Sequence, residues 1–168
     1  MKQIFPVVLI ALGLALLFGV AGWFYFEGLV AHPAALPLPE WVADLPMTGF
    51  QSGDEAAAAF VNLHGKQFPL TSGAIGLYGD NQITLWVAGA PANFIAARMI
   101  VAMRDKIANG NSPFTPMTEI NDNGRIVYVL EGVGQKHYYF QSKNLVVWLA
   151  VNPAFADAAI QQILEVYP

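Results

Sequence analysis

Three histidines, His32, His64 and His137, are the side chains best suited to hold a metal or move a proton near neutral pH. No two stand at a spacing that brings a pair of ligands to one ion, and a working imidazole also needs an orienting partner beside it. The chain has no cysteine, which removes thiolate catalysis, disulfides, lipidated cysteine and c-type haem attachment. Ser52, Ser72, Ser112 and Ser142 fall in caps or loops, and none is framed as Gly-x-Ser-x-Gly. Gly73, Gly76 and Gly79 are spaced G-x-x-G-x-x-G and lead into a strand, whereas a phosphate cradle needs a helix N-terminus. Asp80-Asn81 and Asn121-Asp122-Asn123 supply oxygens without the acidic loop and closing glutamate of a calcium site, and they suit tight turns. Asp54 and Glu55 are adjacent carboxylates at the first turn of a predicted helix, where the dipole favours them. The expectation is a protein without cofactor or metal and without enzymatic activity.

One aromatic segment stands apart. In Lys136-His137-Tyr138-Tyr139-Phe140, strand alternation sends His137 and Tyr139 to one face and Tyr138 and Phe140 to the other. With the tryptophans of two further predicted strands, this defines a candidate ligand or partner face of Trp86, His137, Tyr139 and Trp148. The same residues serve equally as cross-strand pairs that stabilise a sheet.

The elements that position them follow a transmembrane segment. Ile4 to Phe26 carries no charged residue, and about 20 apolar residues suffice to cross a bilayer. Trp23, Phe24, Tyr25 and Phe26 extend the apolar run as an aromatic girdle, which favours a retained anchor over a cleaved signal peptide. Lys2 precedes the span and no Lys or Arg follows until Lys66, so residues 1–3 are expected in the cytoplasm and the rest outside the cell membrane. Beyond the span, seven basic residues face all twelve acidic ones, a balance that argues against nucleic acid. Ala11, Ala15 and Gly19 line one helix face with small side chains, as in closely packed transmembrane pairs.

Residues 27–40, with Pro33, Pro37 and Pro39, read as an extended stalk. Residues 41–168 read as one α+β domain. Ser52-Gly53-Asp54-Glu55 fits a capping box for a helix ending at Gly65. A hairpin turns at Gly79-Asp80-Asn81, and Pro91 opens a helix whose buried stripe is Ile95, Met99, Met103 and Ile107. Four strands follow from Phe114, and Asn152-Pro153 starts the last helix. Setting Trp86 on Trp148 also aligns Pro91 with Pro153, which suggests an internal ββα duplication. The expected architecture is an antiparallel sheet of about six strands with three packed helices. Its order from Ile83 onward resembles the half-repeat arrangement of TBP-like and helix-grip folds, a likeness of topology alone.

Leu145 to Val151 is apolar at alternate and intervening positions alike, as a strand covered on both faces requires. Either the chain's own helices cover both faces or another subunit covers one. The functional expectation is a non-catalytic, membrane-anchored accessory or scaffolding subunit that binds another membrane protein or a second copy of itself. The alternative is an extracytoplasmic small-ligand-binding or sensing domain with a pocket between the sheet and the long helix.

Overall fold

The computed structural model describes residues 4–110 and 112–168. Residues 1–3, with the Lys2 on which the orientation rests, lie outside them. The chain forms two compact units, Met1–His32 and Pro33–Pro168.

The first unit is a single helix, α1 (Ile4–Ala31). Its 28 residues span about 42 Å at the helical rise, and Pro6–Ala31 is long and apolar enough to cross a membrane. The helix does not stop at Phe26, so Glu27 to Ala31, expected in the stalk, are helical. Glu-Gly-Leu-Val-Ala contains no breaker beyond its one glycine. The next proline after Pro6 in the first turns of α1 is Pro33, which disfavours helical backbone at His32 and ends the run there.

The second unit contains β1 (Ala34–Ala35), β2 (Trp41–Val42), β3 (Leu45–Ser52), α2 (Asp54–His64), β4 (Ser72–Tyr78), β5 (Ile83–Gly89) and α3 (Asn93–Ala108). These are followed by β6 (Thr115–Asp122), β7 (Arg125–Gly132), β8 (Gln135–Ser142), β9 (Leu145–Val151), a 3₁₀ turn (Pro153–Phe155) and α4 (Ala156–Val166). The sheet runs β2-β3-β4-β5-β9-β8-β7-β6 with antiparallel neighbours, and β1 adds in parallel to β4. The α+β class and the large antiparallel sheet are as expected. The strand count is nine instead of about six.

Of the three extra strands, β1 comes from the segment read as a stalk, and β2 and β3 come from the start of the domain. The Ala34 N–H donates to Thr71 O at 2.8 Å, and the Leu36 N–H donates to Ser52 Oγ at 3.0 Å. Tyr78, with no exposed surface, donates its hydroxyl to Pro39 O at 2.9 Å. Leu36 and Leu38 pack against the core around Tyr78, Leu85 and Ile163. Residues 33–39 are therefore a strap lying on the sheet. Ser52 is consumed by that strap and by Gly73 O, to which its hydroxyl donates at 3.1 Å. The capping box does not form: Gly53 occupies the cap of α2 at φ +59, with no side-chain cap bond.

Two hydrophobic layers sandwich the sheet. On one face α4 places Ala156, Ala159, Ile160 and Ile163 over Leu85, Phe140 and Leu149. On the other, α2 and α3 place Ala56, Phe60, Ala96, Ile100 and Ile107 over Ile75, Tyr139 and Val146. Gly73 lets α2 approach, since a Cβ there would stand 3.3 Å from the Phe60 ring. Strand β9 is thus covered on both faces by the chain's own helices. The fully buried positions of α3 are Ala96, Ile100 and Ile107, with Ile95, Met99 and Met103 half-buried beside them. A strict spacing of four overshoots a full turn by about 40° per step, so it drifts off the buried line. Pro91 stands outside α3, ahead of its cap residue Ala92.

Trp86 and Trp148, aligned above as equivalent residues, are direct cross-strand partners on β5 and β9. A two-fold axis normal to the sheet between them would put α3 and α4 on the same face. They lie on opposite faces, so a rotation does not relate the two ββα units.

Candidate functional site

Hairpin turns build the candidate face. Two-residue turns at Val133-Gly134 and Lys143-Asn144 join β7 to β8 and β8 to β9, and turn length fixes strand register. Tyr128, Tyr139 and Trp148 consequently stand directly opposite one another on adjacent strands, and Trp86 on β5 completes the row. The rings of Tyr128 and Tyr139 are stacked at 4.7 Å and 14°, and those of Tyr139 and Trp148 at 5.1 Å and 14°. His137 lies on the same face, one alternation from Tyr139, so the structure brings Trp86, His137, Tyr139 and Trp148 together. Tyr138 and Phe140 occupy the opposite layer.

His137 is only 4% exposed, and both ring nitrogens are engaged. Nε2 stands 3.0 Å from Gly132 O, and Nδ1 stands 3.2 Å from Trp148 Nε1. A carbonyl only accepts and an indole N–H only donates, so the ring is neutral with its proton on Nε2. Phe114 closes the cluster, with ring centroids 4.6 Å from His137 and 5.2 Å from Trp148. The cluster pins the β7–β8 turn, where Val133 adopts φ +53 and Gly134 φ +76.

Burial holds the His137 pKa below its ordinary value of 6.5, against the opposing pull of the Gly132 carbonyl. The unfolded chain therefore takes up the proton first as the pH falls. Stability is expected to be undiminished by this residue above about pH 6.5 and to decline below it until the lowered native value is passed. Denaturant midpoints measured from pH 8 to 4 on the wild type and on His137→Asn check this: the wild type should lose stability more steeply across that window.

The other two histidines lie elsewhere. His64 Nδ1 is 2.9 Å from Phe60 O within α2, and its ring meets Phe68 edge-on at 4.9 Å. His32 follows α1. Among the described residues no group of three or more His, Asp and Glu side chains is placed to hold a metal ion.

At the Tyr128 end of the row a groove of about 360 Å³ opens between the C-terminal half of α3 and strands β6 and β7. Arg104 and Ile107 form one wall, Met117, Thr118 and Glu119 the other, with Tyr128 and Tyr139 also lining it. Tyr139 is buried, and desolvation, with Tyr128 second, pushes its phenol well above the ordinary range. Arg104 forks onto the Asp105 carboxylate at 2.8 and 3.0 Å, which raises its pKa further. The row and the groove share Tyr128, which sequence reading passed over, as it did Phe114, Arg104 and Glu119.

On α1, Ala15 and Gly19 together with Trp23 and Phe24 border a shallow apolar groove of about 420 Å³. A Cβ at Gly19 would meet nothing within 4 Å, and Ala11 is exposed one turn before Ala15. Compared with models of protein families, with curated proteins and with solved structures, the chain matches none of them.

Proposed function

We propose that this chain is a non-catalytic accessory or scaffolding subunit, anchored in the cell membrane by α1 with its domain outside, that associates with another membrane protein or a second copy of itself. The observation that carries the reading is the small-residue face of α1, where Ala15 and Gly19 leave a groove beside two large aromatic rings. Lipid tails are as apolar as leucine, so backbone approach across such a face is the main source of affinity between helices in a bilayer. In keeping with a non-catalytic role, the imidazole and indole of His137 and Trp148 are spent on holding the sheet together. The doubly apolar strand β9 no longer argues for a partner, because the chain's own helices cover it.

The double substitution Ala15→Leu/Gly19→Leu tests the reading. Leucine favours insertion, so expression and membrane localisation should be unchanged, while the detergent-extracted complex should fall in apparent size on gel filtration. A complex of unaltered size would reduce α1 to an anchor.

A second reading is an extracytoplasmic small-ligand-binding or sensing domain. The groove between α3 and β6–β7 favours it, since its volume lies at the lower end of the range usual for small-molecule sites.

A further inference from the structure

We infer that the groove beside Tyr128 takes a planar heteroaromatic molecule carrying a ring-edge N–H donor, stacked on Tyr128 as the next ring of the aromatic row. The inference rests on the second reading and names its ligand class.

Three observations converge on it. Tyr128, Tyr139 and Trp148 are nearly parallel, at 4.7 and 5.1 Å from ring to ring, which is close to the spacing between neighbouring strands, about 4.8 Å. The row continues onto β6 at Glu119, directly opposite Tyr128, where the side chain is not a ring. A flat molecule above Glu119 would thus lie one strand spacing from Tyr128, at the separation the preceding rings already keep.

The groove opens at that end of the row, and its two walls carry complementary hydrogen-bonding groups, Arg104 keeping N–H donors beyond the two it gives Asp105. Glu119 is exposed on β6 and accepts hydrogen bonds only, whereas Arg104 on α3 only donates. A ring presenting an amino group or N–H toward β6 and a ring nitrogen or carbonyl toward α3 satisfies both. The irregular register between Pro116 and Thr118 marks a bulge in the β6 wall, and bulges bend a strand and re-aim its side chains. A volume of about 360 Å³ suits one bicyclic ring system better than a longer ligand. Aromatic stacking supplies the affinity, and the two walls orient the ring.

Adenine is the probe, titrated by calorimetry into the full chain in lipid nanodiscs at low salt. Saturable binding at one adenine per chain is expected, weakened about ten-fold or more by Tyr128→Ala and clearly by Glu119→Gln, which sits on an exposed strand and leaves the fold intact. Tyr128→Phe, which keeps the ring, should retain binding, and purine, which lacks the exocyclic amine, should bind more weakly than adenine. Adenine binding that is indifferent to both Glu119→Gln and Tyr128→Ala overturns the inference while leaving a ligand site elsewhere in the domain. If adenine and purine show no saturable binding to millimolar concentration, the inference and the second reading fall together.

Discussion

Trp148→Ala is expected to destabilise the domain by about 3 to 5 kcal/mol, the range for removing a large aromatic side chain from a packed layer. The indole is half-buried, so part of the space it vacates opens to solvent and the cavity cost alone falls toward the lower end of that range. A second cost restores the total. Without the Trp148 N–H, Nδ1 of the 4%-exposed His137 becomes a buried acceptor with no donor, a loss of about 1 to 3 kcal/mol. Trp148→Phe separates the two contributions: it keeps a ring against Tyr139 and strands the same nitrogen, so it should cost about 1 to 3 kcal/mol. Urea denaturation of the domain from Pro33 onward measures both. Equal midpoints for wild type and Trp148→Ala would show that the row does not contribute to stability.

Removing the strap should cost a similar amount. A fragment of residues 40–168 loses the half-buried Leu36 and Leu38, each contributing about 1 kcal/mol by its buried area. It also loses Pro39 O, leaving the hydroxyl of fully buried Tyr78 without its acceptor. Together these amount to roughly 3 to 5 kcal/mol, a large part of the stability of an ordinary domain. The fragment 40–168 should therefore unfold at markedly lower urea than 33–168, or be recovered only as aggregate. Matching midpoints would return residues 33–39 to the role of a free stalk.

The meander β6–β9 was legible because turn residues punctuate it at short intervals and each strand is rich in β-branched and aromatic side chains. Asn152 was legible as a cap, and its side chain accepts from Ala154 N at 3.0 Å. Strand β3 was not legible. Leu-Pro-Met-Thr-Gly-Phe-Gln-Ser contains both residues that propensity excludes from strands, and its irregular register between Met47 and Gly49 accommodates them. The strap was missed for a related reason: proline-rich chain signals extension but not what the extension lies against. Ser52 satisfied a local cap pattern and was claimed by partners distant in sequence.

The four candidate residues were placed on one face by alternation alone, yet the row itself needed register. Counting outward from two-residue turns would have set Tyr128 against Tyr139 and Tyr139 against Trp148. The sequence marks those turns only as Gly132-Val133-Gly134 and Ser142-Lys143-Asn144, each a residue longer than the turn formed, which leaves that register open. The Trp86–Trp148 pair has no connecting hairpin, so no such counting reaches it. The groove was beyond sequence altogether, because it depends on how α3 crosses the sheet.

The pairing of β5 with β9 also governs how the domain is assembled in time. These two strands lie at the centre of the sheet, yet in the chain they are separated by α3 and three complete strands. The hairpin β4–β5 and the meander β6–β9 each close short loops and can form early, whereas joining them carries the entropy of the longest closure in the sheet. During synthesis β5 is an open edge until Val151 has emerged, and its backbone groups facing β9 are unpaired for that interval. Folding rate should accordingly be more sensitive to substitutions at the β5–β9 seam than to those within either hairpin, and the seam is where newly made chains are most open to capture by a chaperone or to misassembly with one another.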